Sequence, residues 1–474
     1  LLARLRHYVG YCHRQDEAKS AIFATLQRTG RCNAEEKTYI HRRRQSSRRF
    51  FHQRRMGRRQ KQSRVEGRQE IIVLPPSKSI VARRLIIEAI CGKEILSTDN
   101  IACDDTAILR DVLNSKISRL NIGQSGTAMR FLTAFLSSRG DGEEYILEGS
   151  RRLSERPIAP LVDSLRLLGA DIEYIRCPEH LPIHIFGRRL HTATIEIDAS
   201  DSSQYVSALM LIAPIVEGGL RIRLRGCSSY PYVLLTGDVM ARAGVGLSID
   251  GDTISIPQCS YICSDYKVEA DYSSAAFWFA YFAVSDLDSL QIGYFDEKSY
   301  QPDSRIADLM ADFGVDAAYS DGIVTLSRKS NAEARLPRSV EYDLNATPDL
   351  VPTMAVLCCM LGVEFRFSGI GHLRLKESDR IEALVSELAK CGYRLCSDSN
   401  SLYWQGIRST AVARPYINTF SDHRIAMAFA LMAQKQPLKI LNPEVVDKSY
   451  PTFWKDLELQ VVRNSKEKAR KIRQ

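Results

Sequence analysis

The chain has 474 residues with 65 Lys/Arg against 56 Asp/Glu, and at 45% apolar and 26% charged, with 27 Gly and 17 Pro, it is neither collagenous nor wholly disordered. The formal +9 is unevenly spread: residues 1–70 hold 19 bases against 6 acids, residues 463–474 hold 6 against 1, and the body between them has 40 bases against 49 acids. Its apolar runs, such as AAFWFAYFAV (275–284), stop short of the roughly 18 residues of a membrane span, and its twelve cysteines form no CxxC pair, so the expectation is reduced thiols without a zinc site or disulfide framework.

In chain order, the first segment is polybasic. HRRRQSSRRFFHQRRMGRRQKQSR (41–64) has too little apolar periodicity to offset its ordering entropy, so residues 1–70 are expected to be a disordered extension, with an RNA-binding arm or a targeting peptide as the alternatives. The first methionine is Met56, and residues 1–55 read as an addition to the body.

The body then repeats one phrase six times: a small polar or acidic residue, a polar cluster, and an apolar helical run. The copies are PSKSIVARRLIIEAI (76–90), QSGTAMRFLTAFL (124–136), DSSQYVSALMLIAP (201–214), DYSSAAFWFAYFA (271–283), TPDLVPTMAVLCCML (347–361) and SDHRIAMAFALMA (421–433). Their leading Ser, Thr and Asp predict N-caps, and helices apolar on nearly every face predict burial. A second phrase interleaves with the first: an amphipathic helix, a glycine and a short strand. Gly169, Gly244, Gly314 and Gly392 mark it at spacings of 75, 70 and 78 residues, each where a helix C-cap with positive φ would fall, and TISI (253–256) and IVTL (323–326) then alternate as strands. The unit is about 70 residues of mixed helix and strand, and the body divides into two pseudo-symmetric domains of three units.

Cations stand where helix dipoles disfavour them. Arg380 and Arg424 fall in opening turns, Lys78 and Arg83 crowd the first repeat helix, and Arg130 the second. One such placement costs only about 0.3–1 kcal/mol, but several in an acidic body make sense if helix starts converge on anions, the alternative being solvated or salt-bridged side chains. DSSQ (201–204) offers hydroxyls at a helix start, GQSGTAMR (123–130) lets backbone N–H groups approach a ligand, and Glu377 within KESDR and Asp349 are carboxylates that neighbouring cations would keep ionised. Neither metal-ligand spacing nor a P-loop occurs.

Taken together, PSKSxxxR (76–83), GTAMR (126–130), RRLSERP (151–157), SSQ (202–204), EADYSSAA (269–276), PD (348–349), LRLKESDRI (373–381), SDHRIAMA (421–428) and DKSYP (447–451) resemble, in order and across about 71–460, the enolpyruvyl transferases, and among them the 3-phosphoshikimate 1-carboxyvinyltransferase (EPSP synthase) family. The resemblance implies an α/β (α+β) fold of two domains, each with three βαβαββ units in an inside-out α/β barrel, meeting where the chain crosses twice, near Pro76 and Asp271. The expected limits are a basic extension (1–70), an N-terminal domain (76–270), a C-terminal domain (271–462, plus the strand at 71–75) and a basic tail (463–474). The implied reaction moves the carboxyvinyl group of phosphoenolpyruvate to the 5-hydroxyl of shikimate 3-phosphate and releases phosphate, without a metal or organic cofactor.

Carried over residue by residue, the resemblance gives Lys78 contact with both substrates. Ser79 and Arg83 would hold the shikimate carboxylate, and Ser202, Ser203 and Ser229 its phosphate, with Gln204 between the ligands. Arg152, Arg380, Arg424, Lys448 and the backbone of Gly126 would hold phosphoenolpyruvate. Asp349 would take the 5-hydroxyl proton, Lys376 would meet the 4- and 5-oxygens, and Glu377 would move protons at the methylene carbon, shared with Lys78. Pro76, Ala82 and Gln124 depart from the family pattern, and Gln124 puts ring contact there in doubt. Gly126 implies inhibition by glyphosate. The chain is expected to be a cytoplasmic monomer acting on small molecules, with no membrane partner and no nucleic-acid partner unless through the basic arm. The rivals are a carboxyvinyl transferase for UDP-N-acetylglucosamine, whose cysteine-bearing loop has no counterpart in this sequence, and a nucleic-acid-binding protein.

Overall fold

The computed structural model describes residues 71–93, 103–329 and 336–473. The expectation of a disordered extension at 1–70 lies outside these residues.

Four sheets share one topology. In the first, Arg119–Asn121 runs parallel to Glu144–Glu148, which is antiparallel to Ile183–Phe186, itself antiparallel to Asp171–Tyr174. The same first-second-fourth-third order recurs in Thr194–Ala199, Leu220–Cys227, Thr253–Ile256 and Ser248–Asp250, and in Ser339–Asp343, Glu364–Ser368, Leu402–Trp404 and Cys396–Ser397. In the fourth sheet the first strand comes from far upstream: Ile72–Val73 lies parallel to Ser289–Gly293, which leads to Ile323–Arg328 and Val315–Ser320. A parallel pair needs a crossover, and the apolar phrases supply it as helices Gly126–Ser137, Gln204–Ile212, Tyr272–Val284 and Val351–Leu361. A fifth crossover, His423–Met432, joins the two-stranded parallel pair Tyr416–Ile417 and Lys439–Ile440, and the first phrase forms the helix Lys78–Ile90. All six repeat helices stand where the phrases predict them.

These helices are buried because no face of them is polar. One apolar core runs from Ile80 to Val268 through the first three units. In the later units Phe277, Trp278, Tyr281, Tyr450 and Phe453 pack edge to face, and the Trp278 indole donates to the Tyr450 hydroxyl at 3.2 Å. Each such side chain contributes about 1.5–3 kcal/mol by leaving water. Gly169, Gly244, Gly314 and Gly392 all have positive φ (95°, 77°, 74° and 88°). At Gly392 a side chain would also meet the Ser409 carbonyl at 3.0 Å, so both conformation and space require glycine.

Two expectations are corrected. Side-chain caps form at Ser125, Asp271 and Asp422, but Ser77 and Ser203 make none, and Val351–Leu361 is entered through the 3-10 turn Pro348–Leu350 without one. Ser203 already has helical backbone angles, so its hydroxyl cannot fold back on the helix start and is free to face the cleft at the chain crossings. The cysteines are also not all reduced: Cys91, at the end of the first repeat helix, is bonded to Cys263, because the first and last segments of the Ile80–Val268 core lie side by side. The other eight cysteines among the described residues are free.

Residues 463–473 of the tail belong to the helix Phe453–Arg473. Among the described residues no helix is long and apolar enough to cross a membrane.

Candidate functional site

The two chain crossings lie against each other: Pro76 and Ala270 form an antiparallel bridge, Ser77 N donates to Glu269 O at 2.8 Å, and Asp271 N donates to Pro75 O at 3.0 Å. Beside them opens a cleft lined mostly by polar and charged side chains. All six repeat helices aim their N-terminal ends into it. They contribute Lys78 and Ser79, Gly126 and Thr127, Ser202 to Gln204, Asp271 and Ser273, Pro348 and Asp349, and His423 and Arg424. Six helix starts bring unpaired N–H groups and six positive dipole ends to one place, a setting built for anions.

The cations fall into two sets. The first is matched by carboxylates. Arg380, almost wholly buried, donates through Nη1 to Asp349 Oδ1 (2.7 Å), through Nη2 to Glu377 Oε2 (3.0 Å) and through Nε to Asp422 Oδ2 (2.8 Å). Arg424 Nη2 reaches Asp349 Oδ2 at 2.6 Å, Lys448 Nζ reaches Glu377 Oε1 at 3.3 Å, and Lys78 Nζ reaches Asp105 Oδ2 at 3.0 Å. Burial alone would neutralise these groups. Arg424 and Arg380 outweigh it at Asp349, Lys448 and Arg380 outweigh it at Glu377, and both carboxyls are held below their usual range. Burial likewise opposes the Lys78 charge, but Asp105 overcomes it and holds the ammonium above its usual range.

The second set forms no ion pair among the described residues, although the Glu377 charge lies close enough to favour that of Arg156. Arg83 is 2% exposed, and its guanidinium donates to Thr236 Oγ1, Ser207 Oγ and the carbonyls of Ser79 and Tyr232. Arg156 is 8% exposed with its Nε unpartnered. Burial pulls both down to about 10, helped at Arg156 by the nearby Arg130 charge. A buried, unpaired guanidinium costs several kcal/mol, and both line the cleft, where an anionic ligand would relieve that cost. Lys376 is pulled down to about 8 by burial, with the Arg380 and Arg156 charges adding to that and the Asp349 charge opposing it.

Among the residues expected from the sequence, Lys78, Ser79, Arg83, Gly126, Ser202, Ser203, Gln204, Ser229, Asp349, Lys376, Glu377, Arg380 and Arg424 all line the cleft. Ser229 reaches it through a left-handed backbone (φ 54°), with its amide and hydroxyl donating to Asn345. Gln204 Nε2 donates to Thr127 Oγ1 at 3.0 Å, and its Oε1 is unpartnered. Arg152 and Lys448 are not among the residues that line the cleft. Arg152 donates to the carbonyls of Arg374, Lys376 and Glu377, and Lys448 to Gln124 O at 3.5 Å, so each ties segments from opposite halves of the chain.

Sequence reasoning missed Arg156, Asp105, Thr127, Tyr232 and His423. Arg156 could have been found, since it lies one helical turn from Arg152 in RRLSERP. Asp105 sits in an unremarkable helix start, and nothing local ties it to Lys78.

The sequence profile of the family described as "EPSP synthase (3-phosphoshikimate 1-carboxyvinyltransferase)" matches residues 110–457. A 3-phosphoshikimate 1-carboxyvinyltransferase of Bacteroides fragilis (strain YCH46) is 41% identical over 392 residues, covering 81% of this chain and 94% of the relative. One of Methanospirillum hungatei is 32% identical over 414 residues, with the same coverages of 81% and 94%. Among solved structures, an EPSP synthase from Acinetobacter baumannii superposes with a TM-score of 0.62 at 20% identity, over 81% of this chain and 94% of that one. The enolpyruvyl transferase NikO from Streptomyces tendae superposes with a TM-score of 0.62 at 16% identity, over 82% and 94%.

Proposed function

Since the chain belongs to the EPSP synthase family, we propose a division of labour among the cleft residues for the reaction it catalyses, transfer of the carboxyvinyl group of phosphoenolpyruvate to the 5-hydroxyl of shikimate 3-phosphate with release of phosphate. The observation that carries the assignment is the pair of buried guanidiniums that form no ion pair among the described residues, Arg83 and Arg156, opening on a cleft where Lys78, Arg380 and Arg424 already have carboxylate partners. Two anionic substrates supply the missing charge.

Arg83 and Ser79 take the shikimate carboxylate, and Ser202, Ser203 and Ser229 its phosphate. Gln204 bridges the ligands. Lys78, Arg152, Arg380, Arg424, Lys448 and the Gly126 backbone hold phosphoenolpyruvate. Arg156 joins them, since a Cβ on Gly126 would stand 2.5 Å from its Nη1. Asp349, ionised between Arg380 and Arg424, accepts the 5-hydroxyl proton as the oxygen attacks C2 of phosphoenolpyruvate, and Lys376 steadies the 4- and 5-oxygens. Lys78, held as the ammonium, delivers a proton to the methylene carbon. The ionised Glu377 takes one back as the tetrahedral adduct expels phosphate and returns it to Lys78, while the departing phosphate carries off the proton held by Asp349. Arg380 bridges both carboxylates, so the relay is positioned before the substrates arrive and needs little reorganisation.

The domain limits are assigned at 76–270 and at 271–462 with 71–75. The Ile80–Val268 core and the pairing of Ile72–Val73 with Ser289–Gly293 support them. The enzyme acts in the cytoplasm as a monomer, and glyphosate inhibits it. An inhibition curve flat through millimolar glyphosate would contradict that sensitivity.

Steady-state phosphate release by Lys78→Ala and Glu377→Ala tests the assignment. Each folded variant should lose about 10²–10⁴-fold in kcat, the scale of a proton-transfer group. Retention of more than a tenth of wild-type kcat in both would contradict the roles assigned to Lys78 and Glu377.

A further inference from the structure

Behind the cleft wall sits a carboxyl that the reaction scheme leaves unused. Asp303 lies in the 3-10 turn Pro302–Arg305, is 1% exposed and forms no ion pair among the described residues. Its Oδ2 accepts from the Ser273 hydroxyl, which lines the cleft, while its Oδ1 is buried without any partner. The groups facing it come from four neighbouring segments: Asp349 from the turn before Val351–Leu361, Arg424 from His423–Met432, Asp271 at the head of Tyr272–Val284, and Tyr232 from Pro231–Arg242. Arg424 already serves Asp349 at 2.6 Å, and its own Nε is buried without a partner.

An ionised carboxylate enclosed in this pocket, with one oxygen unsolvated and Asp349 and Asp271 nearby, would be costly, and the one hydrogen bond it accepts, from the Ser273 hydroxyl, offsets only part of that cost. We propose that Asp303 is a positioning residue for the transfer: in its protonated form, close to Asp349 and Arg424, it leaves the Arg424 guanidinium to Asp349 and the phosphoenolpyruvate carboxylate. An ionised Asp303 competes for Arg424 and adds a negative charge where an anion must bind. Burial first, and then the Asp349 charge, push its carboxyl up to about 7, against the pull of Arg424 and the Ser273 hydrogen bond, so the competition begins within the working range of pH. This inference rests on the reading of Arg424 as a phosphoenolpyruvate ligand.

The test is the ratio of kcat/KM for phosphoenolpyruvate, Asp303→Asn over wild type, across pH 6 to 8. Asn keeps the shape of the neutral acid and cannot ionise. Wild type loses its neutral form as pH rises through about 7 while the variant does not, so the ratio should climb, by up to about tenfold at pH 8. Ionisations of the substrate cancel in the ratio. A ratio independent of pH overturns the proposal, because a merely structural role would lower both arms alike.

If Asp303→Asn does not fold, Ser273→Ala serves. Removing a donor to the carboxylate should move the midpoint of the wild-type decline to higher pH, and an unmoved midpoint overturns the proposal. Infrared difference spectra of the wild-type protein give a readout that needs no turnover. A protonated-carboxyl stretch should disappear through about pH 7 and be missing in the variant, and its absence from wild type at pH 6 contradicts the assignment whether or not the enzyme is active.

Discussion

Asp349 and Arg83 show how burial and charge act together at the level of single side chains. The cleft holds Asp349 ionised by surrounding it with guanidinium groups, while the Arg83 and Arg156 guanidiniums form no ion pair among the described residues. Lys376 is the cation nearest to losing its charge, because burial draws it down to about 8. A base with a depressed pKa is charged below that value and neutral above it, so a step that needs the ammonium weakens as pH rises through about 8. We therefore expect kcat/KM for shikimate 3-phosphate to fall above pH 8 in wild type. In Lys376→Arg, whose guanidinium stays charged, the fall should move at least one pH unit higher. A profile unchanged by the substitution would remove Lys376 from the binding of the ring oxygens. Among the cleft cations, Lys78, Arg83, Arg380 and Arg424 were legible as cations in unfavourable helix starts, because that local rule-breaking needs a tertiary reason. Asp303 was not, since a carboxyl at a helix start is ordinary and only burial makes it unusual.

At the scale of the element, each repeat helix does two jobs, filling the core with its body and presenting its first turn to ligands. Asp422 joins the jobs. It is fully buried, caps His423–Met432 through the Arg424 amide at 3.0 Å, and receives Arg380 Nε and the Ser378 hydroxyl. Asp422→Ala strands part of a buried guanidinium and a helix start at once. We expect a stability loss of about 3–5 kcal/mol in urea unfolding at neutral pH, and a loss below about 1 kcal/mol would contradict a buried ion-pair role.

The Cys91–Cys263 bond spans 172 residues of chain, which in the loop-entropy account is worth about 5 kcal/mol. Reductant should lower the unfolding midpoint of wild type by several degrees and leave Cys91→Ser unmoved; equal behaviour of the two would contradict the bond. The six helices and four glycine stops were readable because they recur and because one periodicity governs each. The disulfide was not, since two unremarkable cysteines become neighbours only when the core closes. The missing caps at Ser77 and Ser203 were equally hidden, because a serine at a helix start looks the same whether its hydroxyl serves the helix or a ligand.

Across the whole body, the repeated sheet order, the side-by-side crossings at Pro76 and Ala270 and the convergence of six helix starts form one arrangement. The three apolar repeat helices of each half present their starts to the cleft, beside the crossings where the two halves meet. The sequence carried the repeat number and the motif order, and hence the fold class. It did not carry the contacts that tie the halves across the cleft, such as Arg152 to the carbonyls of Lys376 and Glu377, because backbone acceptors leave no mark in a sequence.

The central claim is that this cleft joins two anions and expels phosphate. Mixing the purified protein with phosphoenolpyruvate and shikimate 3-phosphate, and following free phosphate together with the mass of the organic product, tests it most directly. The account predicts phosphate release only when both substrates are present, in one-to-one yield with a carboxyvinyl ether of shikimate 3-phosphate. Folded protein that releases no phosphate from the pair, or releases it equally from phosphoenolpyruvate alone, would contradict it.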